Sequence, residues 1–530
     1  MKTRIIFFLR TKTLFFYLSA SKRIIFHMFF SKISFSKFLF ISSFFIVNSI
    51  TAEPWIDTSD IYLKANIQLL ADTGKIITPV TTYPLMWHDI IRDLKNIDIA
   101  NLTTNQEAAY YYVKHQFKLA KRNQTRIKAK IGLENKRFIS FGETPSDKNS
   151  ISVHSSIMSD NFAAKIAPSY THHPQDGEKK RFDESYIAAF IGNWVFSFGQ
   201  QNRWYGPTWD TSFSLTNNAR PIAALSISRK SAQAFTVPFT EIDIPWTVTS
   251  FMGKMDDERT VKDTLLWGFR LNLKPFNNLE LGITRLAQWG GQGHSQNSST
   301  FWDVLIGKTN CGIDDLVCDE NNPNPANQQA GYDLRYSFNL FDVPMSFYGQ
   351  KFAEDGKEGT LNYLTKAQPQ VGFDAHLNVF GKPSTVFIEF SDSLADCGER
   401  DNIGNCYYEH SSYTTGMRYN KRSISNLYDN DARTVVLGAI SQWDSNTRLT
   451  TKLRFLDLNY DNSDKAPNNP LIGNTVTSIA EQVWMISSSV QHDHKNWRLT
   501  LSSDISQSSF DHNIDNETEF NASLQIEYNH

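Results

Sequence analysis

Long apolar runs are absent from most of this 530-residue sequence. After residue 52 there is no stretch of 18 uncharged apolar residues, whereas a membrane-spanning helix needs about 20. This excludes a transmembrane helix from that part of the chain, so any passage through a membrane must use β-strands. Aromatic residues make up 13% of the sequence although its mean hydropathy is negative. That combination is typical of strands with one apolar face.

Acidic residues are missing from the first 52 positions, which hold eight Lys or Arg residues. The apolar run at residues 38–47 is about ten residues long, which fits a secretory signal and is too short for a spanning helix. We therefore predict that residues 1–52 are a signal peptide cleaved between Ala52 and Glu53. The segment before Met28 is unusually long for a signal, which favours translation from Met28; a retained N-terminal anchor is the alternative.

The charge balance changes when the signal is removed. Residues 53–530 hold 45 basic and 55 acidic residues, a net charge of −10. We expect no nucleic-acid partner, because a phosphate backbone requires a basic face. An anionic polysaccharide is not excluded, since local Arg clusters can act inside an acidic protein.

Cysteine is scarce, and the four residues fall in two close pairs, Cys311 with Cys318 and Cys397 with Cys406. An even number in an exported chain predicts that each pair forms a disulfide in a surface loop. A four-Cys metal site is the alternative, but the two-residue spacing of zinc knuckles is missing. We expect neither a metal nor a cofactor.

Catalytic motifs are also missing from the sequence. It contains no G-x-S-x-G, no H-E-x-x-H and no phosphate-binding Gly loop. Most His residues lie in polar, loop-like runs, and nothing positions a base against a nucleophile. The protein is therefore predicted not to be an enzyme; an outer-membrane hydrolase is the least favoured alternative.

Helical periodicity is confined to the segment 53–124, which we predict to be a small α-helical bundle. One helix is predicted over 60–74, ending at Gly74. A second is predicted over 83–96, with Pro84 in its first turn. The third is predicted over 104–122, with Thr104 as its N-cap.

Strand-like alternation runs through the rest of the chain, residues 125–530. Runs of about eight to twelve alternating residues are separated by Gly, Asn, Asp and Pro, for example "RIKAKIGLE", "LELGITRLAQW" and "YTTGMRYN". Turns are predicted at 276–278 and 492–496. The pattern predicts a mainly β fold of roughly 16 to 18 strands, which fits a large antiparallel transmembrane barrel in a Gram-negative outer membrane; a periplasmic all-β protein is the alternative. Outer-membrane lipid and the barrel-insertion machinery are then expected partners, although Tyr528 is not the terminal residue that such barrels usually place last.

Two sequence blocks carry a family resemblance. The stretch "WVFSFGQQNRWYGPTWDTSFSLTNNARPIAALSISRK" at 194–230 resembles the central signature of the capsule assembly protein Wzi family, R-W-[WY]-G-P-x-W followed by S-x-x-x-x-N-N-A-R-P. "LELGITRLAQWGGQG", "FWDVLIGK" and "NQQAGYDLRYSF" follow in the family's order. The resemblance implies an outer-membrane barrel of about 18 strands with a periplasmic helical plug, acting as a non-enzymatic lectin for capsular or related surface polysaccharide. A porin or polysaccharide-export channel is the alternative.

The signature stretch also supplies candidate site residues. Aromatic rings bury the C–H face of a sugar, while amides, carboxylates and guanidinium groups bind its hydroxyls or carboxylates. The same side chains can instead fix an inward loop or the plug through turns and ion pairs. The candidates for polysaccharide binding or loop fixing are Arg203, Trp204, Tyr205, Trp209, Asp210, Asn217, Asn218, Arg220 and Trp289.

Overall fold

The computed structural model describes residues 53–529 apart from 123–124, 144, 146, 257, 309–324, 357–363, 395–407, 409, 411, 461, 463–473 and 511–514. The predicted signal peptide lies outside the described residues. So do all four cysteines, and both disulfides stay predictions.

Eighteen antiparallel strands of the described chain form a closed barrel. Neighbours in sequence are neighbours in the barrel, and the last strand pairs with the first to close it. The third and fourth strands are each interrupted once but keep their pairing on both sides. The strands are β1 Thr125–Gly132, β2 Asn149–Met158, β3 Phe162–Ile166 with Ser169–His172, β4 Lys180–Arg181 with Tyr186–Ile191, β5 Trp194–Gln200, β6 Ala223–Arg229, β7 Trp246–Lys254, β8 Leu265–Phe276, β9 Leu279–Trp289, β10 Ala326–Leu340, β11 Val343–Gly356, β12 Leu364–Val379, β13 Lys382–Asp392, β14 Ala432–Gln442, β15 Thr447–Leu458, β16 Glu481–His494, β17 Trp497–Phe510 and β18 Glu517–Asn529.

The two faces of the barrel wall differ in polarity. On β8 the lumen-facing Arg270 and Asn272 are buried, at 1% and 0% exposure. The outward face carries apolar side chains that remain exposed, such as Ile283, Tyr332 and Phe347. Because this is the reverse of a water-soluble barrel, the outer face requires apolar surroundings. Among the described residues no helix has the length and apolarity needed to cross a membrane.

The two ends of the barrel differ in their connections. At the turn end, five of the eight connections are two-residue turns, at 192–193, 277–278, 341–342, 380–381 and 495–496, which confirms the turns predicted near 276–278 and 492–496. Two more, 159–161 and 443–446, are short, and 230–245 is the one long connection at this end. At the loop end, the connections are long: 133–148, 201–222, 255–264, 290–325, 393–431 and 459–480. Large outer-membrane barrels have short periplasmic turns and longer extracellular loops, so the loop end is the extracellular one.

One predicted strand was wrong. Residues 413–420, "YTTGMRYN", belong to the 393–431 connection and not to the wall. Within them only Arg418–Tyr419 forms a strand, pairing with Arg422–Ser423 around a turn in which Asn420 and Lys421 have positive φ. The residues do alternate, but the turn at Asn420 and Lys421 follows too soon for a strand that spans the wall. The segment therefore ends in a short hairpin.

The three predicted helices are present, with corrected starts: α1 Ile61–Asp72, α2 Trp87–Lys95 and α3 Thr104–Ala120. Asp60 caps α1 by accepting from two backbone N–H groups. The N-cap of α3 is Thr103 and not Thr104, because Thr103 and Gln106 form a reciprocal capping box. Pro84 does not open α2, because the two residues after it, Leu85–Met86, pair as a strand with Trp55–Ile56.

Helix α1 lies in the lumen near the turn end. Ten of its twelve residues are buried, because the wall surrounds it. The Tyr62 hydroxyl accepts a hydrogen bond from Thr450 of β15, and Lys274 of β8 donates to the Ile76 carbonyl just after the helix. Contacts on separated strands show that α1 is enclosed by the wall.

The C-terminal end of α1 is fastened by a buried ion pair. Arg335 of β10 donates to Asp72 at 2.6 Å and to Asp374 of β12 at 2.8 Å, and His376 lies 3.0 Å from Asp72. Asp72, Asp374 and His376 are close enough to hold a metal ion, but Arg335 is the cation bound there. Burial raises the pKa of Asp72, but Arg335 and His376 lower it more, so the net pKa lies below the usual carboxyl range.

We expect Asp72→Asn to destabilise the folded protein by about 3 kcal/mol, because the buried positive charge of Arg335 loses the negative charge of Asp72. The wild-type contribution should be complete above the ordinary carboxyl pKa of about 4 and fall as the pH drops below it. Guanidinium unfolding of the reconstituted barrel at pH 7 and at pH 3, below the ordinary carboxyl pKa, measures both effects. Glu107→Gln, an exposed carboxylate on α3, is the matched control; equal effects of the two changes would contradict the role of Asp72.

Candidate functional site

The signature loop, residues 201–222, leaves the loop end of the wall and folds back into the lumen. Its Trp204–Tyr205 segment pairs as a two-residue strand with Thr82–Tyr83, just before α2. Gly206 has a φ of 125°, and a Cβ there would lie 2.9 Å from the Gln350 amide nitrogen. Glycine is therefore required where the loop turns against the wall.

The two signature tryptophans face a lysine of α1. Trp204 and Trp209 have 0% exposure, and the Lys64 ammonium lies 5.0 and 4.9 Å from their ring centroids. It also donates to the Thr208 carbonyl at 2.6 Å. Burial lowers the pKa of Lys64 well below its usual value, while the carbonyl and the ring faces stabilise the charged form. The aromatic platform is thus occupied by the protein's own lysine side chain.

Trp209 and Asp210 contact two strands of the wall that are separated only by β14. Glu389 of β13 accepts from the backbone N–H groups of Trp209 and Asp210 at 2.6 and 3.0 Å. Asp210 also forms ion pairs with Lys452 and Arg454 of β15 at 3.1 and 2.7 Å. Burial raises the pKa of Asp210, but Arg454 and Lys452 outweigh it and hold this pKa below the usual range.

The loop-end side of the signature loop is covered by the 393–431 connection. Asn218 donates to the Ser423 carbonyl at 3.2 Å, and the Tyr428 hydroxyl donates to Asp210. Asn217 donates instead to the carbonyl of Thr58, in the segment before α1. The paired asparagines therefore connect two other segments to the signature loop.

The two signature arginines occupy different environments. Arg203 is buried against the Phe251 ring at 4.3 Å and donates to Ser226; burial lowers its pKa. Arg220 lies nearer the loop end, where both of its terminal nitrogens and its Nε bind carboxylates. Its partners are Asp183 at 2.8 and 2.9 Å, Asp176 at 2.8 Å and Glu178 at 2.7 Å.

Trp289 lies apart from the other eight candidates. It points out of the barrel at the loop end of β9 and packs on Phe301 with ring centroids 5.1 Å apart. Phe301 belongs to a helix that the sequence analysis missed, α4 Ser298–Ile306. Its local signals are Asn297, which caps the helix by accepting from Thr300 N–H, and Gly307 in the left-handed conformation at its end. The prediction of ligand contact for any of these residues stays a prediction.

The wall residues that hold the signature loop were not predicted from the sequence. They are charged residues at lumen-facing positions of wall strands. In the sequence, each appears as a charge between the outward-facing residues of an alternating strand. These residues are Asp374, Glu389, Lys452 and Arg454.

A closed barrel with an apolar outer face, a polar lumen and inward-folded segments defines an outer-membrane β-barrel with a plugged lumen. Residues 119–523 match the family described as capsule assembly protein Wzi. The chain belongs to this family, which confirms the resemblance seen in its sequence blocks. It lies in the outer membrane of a Gram-negative cell.

Among the individual proteins similar to the chain are one solved structure and one curated relative. A solved structure has a TM-score of 0.74 and 20% identity, covering 88% of this chain and 98% of its own; it is described as Wzi, an outer membrane protein involved in group 1 capsule assembly in Escherichia coli and a carbohydrate binding β-barrel. An uncharacterised 55.8 kDa protein in the cps region of Klebsiella pneumoniae is 28% identical over 305 residues. That match covers 55% of this chain and 57% of the relative, so the chain spans little more than half the length of this curated relative.

We expect Asp210→Asn to destabilise the barrel by about 3–5 kcal/mol, because it leaves Lys452 and Arg454 buried without their anion. Asp160→Asn, an exposed carboxylate between β2 and β3, is the matched control. The free energy of unfolding in guanidinium measures the difference. A change no larger than that of the control would show that the ion pairs do not hold the loop.

Proposed function

We propose that the protein is a non-enzymatic outer-membrane lectin that attaches or organises capsular or related polysaccharide at the cell surface. Family membership and the carbohydrate-binding barrel of similar fold support this function. The observation that carries it is the position of the signature loop, which occupies the lumen and is held by buried ion pairs on β15. A polymer is then retained at the exposed loop end and not carried through the barrel.

The proposal assigns loop fixing to the buried signature residues. Trp204, Trp209 and Asp210 have no exposed surface, and their polar and ring contacts are made with α1, with the wall and with Phe141 and Tyr428 of two inward-folded connections. A sugar would have to displace these contacts and expose Lys64, Lys452 and Arg454. The energetic cost of unpairing buried charges disfavours this exchange.

The sugar contacts are assigned instead to a mouth patch at the loop end, comprising Gln175, Glu178, Arg220, Tyr419 and Arg422. Arg422 donates to Gln175 at 2.9 Å, and Arg220 donates to Glu178 at 2.7 Å. Tyr419 is partly exposed beside this network; burial raises its pKa to about 12, so the phenol keeps its proton at neutral pH. An aromatic ring, amides and guanidinium groups together provide the chemistry of sugar recognition.

Retention of a long polymer does not require tight binding at one barrel. Repeat units of the same chain contact many barrels at once, and each further contact forms at a high effective concentration. Weak binding of a short oligosaccharide therefore accompanies firm attachment of the whole polymer.

We expect Tyr419→Ala to weaken binding of an oligosaccharide from the cell's own surface polymer by about tenfold, the scale of a lost aromatic contact. Binding of purified, reconstituted barrel is measured by calorimetry. Trp209→Phe is the comparison, and its folded fraction should bind like wild type. Loss of binding with Trp209→Phe but not with Tyr419→Ala would contradict the assignment to the mouth patch.

The cellular test addresses the function itself. Deleting the gene should release polymer into the medium while its synthesis continues. Unchanged surface retention, or no binding of polymer by the wild-type protein, would overturn the lectin proposal.

Large stable currents through the purified barrel in planar bilayers would favour a channel over a lectin.

A further inference from the structure

Helix α4 lies on the outer wall of the barrel at the loop end. Its inner side, which includes the fully buried Val304, packs on Trp267 and Trp289. These two tryptophans alternate along their strands with Leu266 and Gln288, which face the lumen. Because successive strand residues point to opposite faces, the tryptophans and the helix packed on them are outside the barrel.

The helix is fastened to the wall through its C-terminal end. Arg285, also on the outward face of β9, donates to the carbonyls of Val304 and Leu305 at 2.7 and 2.8 Å and to the Gln328 side chain. An arginine on a lipid-facing wall is costly unless its donors are satisfied. The Val304 and Leu305 carbonyls lie at the C-terminal end of the helix, where the partial charge is negative, so they are suitable acceptors for Arg285. The Val304 carbonyl also accepts from the N–H of Gly307.

The outer side of α4 carries an apolar pair. Trp302 and Ile306 are four residues apart, on one face of the helix, and are 59% and 45% exposed. Ile283 lies two residues from Arg285 on the same outward face, and its cross-strand neighbour is Tyr332. Both belong to the exposed apolar band of the wall. The exposed face of α4 therefore continues the surface that lies against lipid.

We propose that α4 is an interfacial helix that inserts Trp302 and Ile306 into the outer leaflet, where acyl chains meet headgroups. Tryptophan favours this boundary because its ring is apolar and its N–H is polar. The exposed Ser298, Ser299 and Lys308 mark the polar ends of the helix. Inserted in this way, α4 fixes the depth of the loop end in the membrane.

Lipid is a better occupant of this face than a second copy of the chain. Two exposed apolar side chains on a nine-residue helix offer far less than the roughly 1,200–2,000 Å² that a stable protein interface buries. Continuity with the apolar band also places the pair beside acyl chains whenever the barrel spans the membrane. A partner protein would have to displace that lipid.

The test is photocrosslinking of the full-length barrel in vesicles of phosphatidylethanolamine, phosphatidylglycerol and lipopolysaccharide. A benzophenone amino acid is placed at position 302 or, in a second variant, at 306. Position 283 on the same wall is the lipid-facing control, and position 421, exposed in the loop-end hairpin, is the aqueous control. Folding of each variant is checked by its heat-dependent mobility in gels.

We expect lipid adducts at 302 and 306 at yields within about threefold of position 283, and few at 421. Crosslinked dimers in place of lipid adducts would overturn the proposal in favour of a second copy. Yields as low as at position 421 would show that the helix faces water. The vesicles contain no capsular polymer, so the result is independent of the proposed lectin function.

Discussion

The ion pairs of Asp210 with Lys452 and Arg454 hold the interior of this barrel together. An 18-stranded barrel is too wide for wall side chains to fill its lumen, so other segments must occupy it. A polar wall accepts such segments only if its buried charges find partners. Asp210 supplies the anion for two wall cations, and the backbone beside it binds the wall carboxylate of Glu389.

The remainder of the plug follows from the same requirement. Helix α1 brings Lys64 to the rings of Trp204 and Trp209 and brings Asp72 to Arg335. Side chains that would suit a sugar, aromatic rings beside carboxylates and arginines, are therefore already paired within the protein. The part of this network that stays partly exposed lies at the loop end, around Arg220 and Tyr419, and this is where we propose that the polymer binds.

Local patterns predicted most of the fold. Alternation of two residues identifies a wall strand without knowledge of its neighbour, and successive hairpins make the strand order follow the sequence. The same locality explains the errors: Thr103 and Thr104 are equally plausible caps until Gln106 selects one. The run at 413–420 alternates like a strand, yet it forms an inward hairpin.

The candidate site was less predictable because its partners are distant in sequence. Asp210 and Arg454 are separated by 244 positions, and nothing local in either segment indicates that they meet. Composition marked the signature loop as a polar and aromatic segment, which is equally compatible with ligand contact and with an internal network. Only the barrel register, which turns Lys452 and Arg454 toward the lumen, brings these charges to Asp210.

The structure makes the signature loop a fixed part of the barrel interior. Hydrogen–deuterium exchange of residues 203–218 in the reconstituted barrel, with and without its surface polysaccharide, is the decisive measurement. A fixed loop should be strongly protected without polymer, and its protection should not change when polymer is added. Rapid exchange without polymer, followed by protection on binding, would contradict this expectation and would make this loop the sugar site.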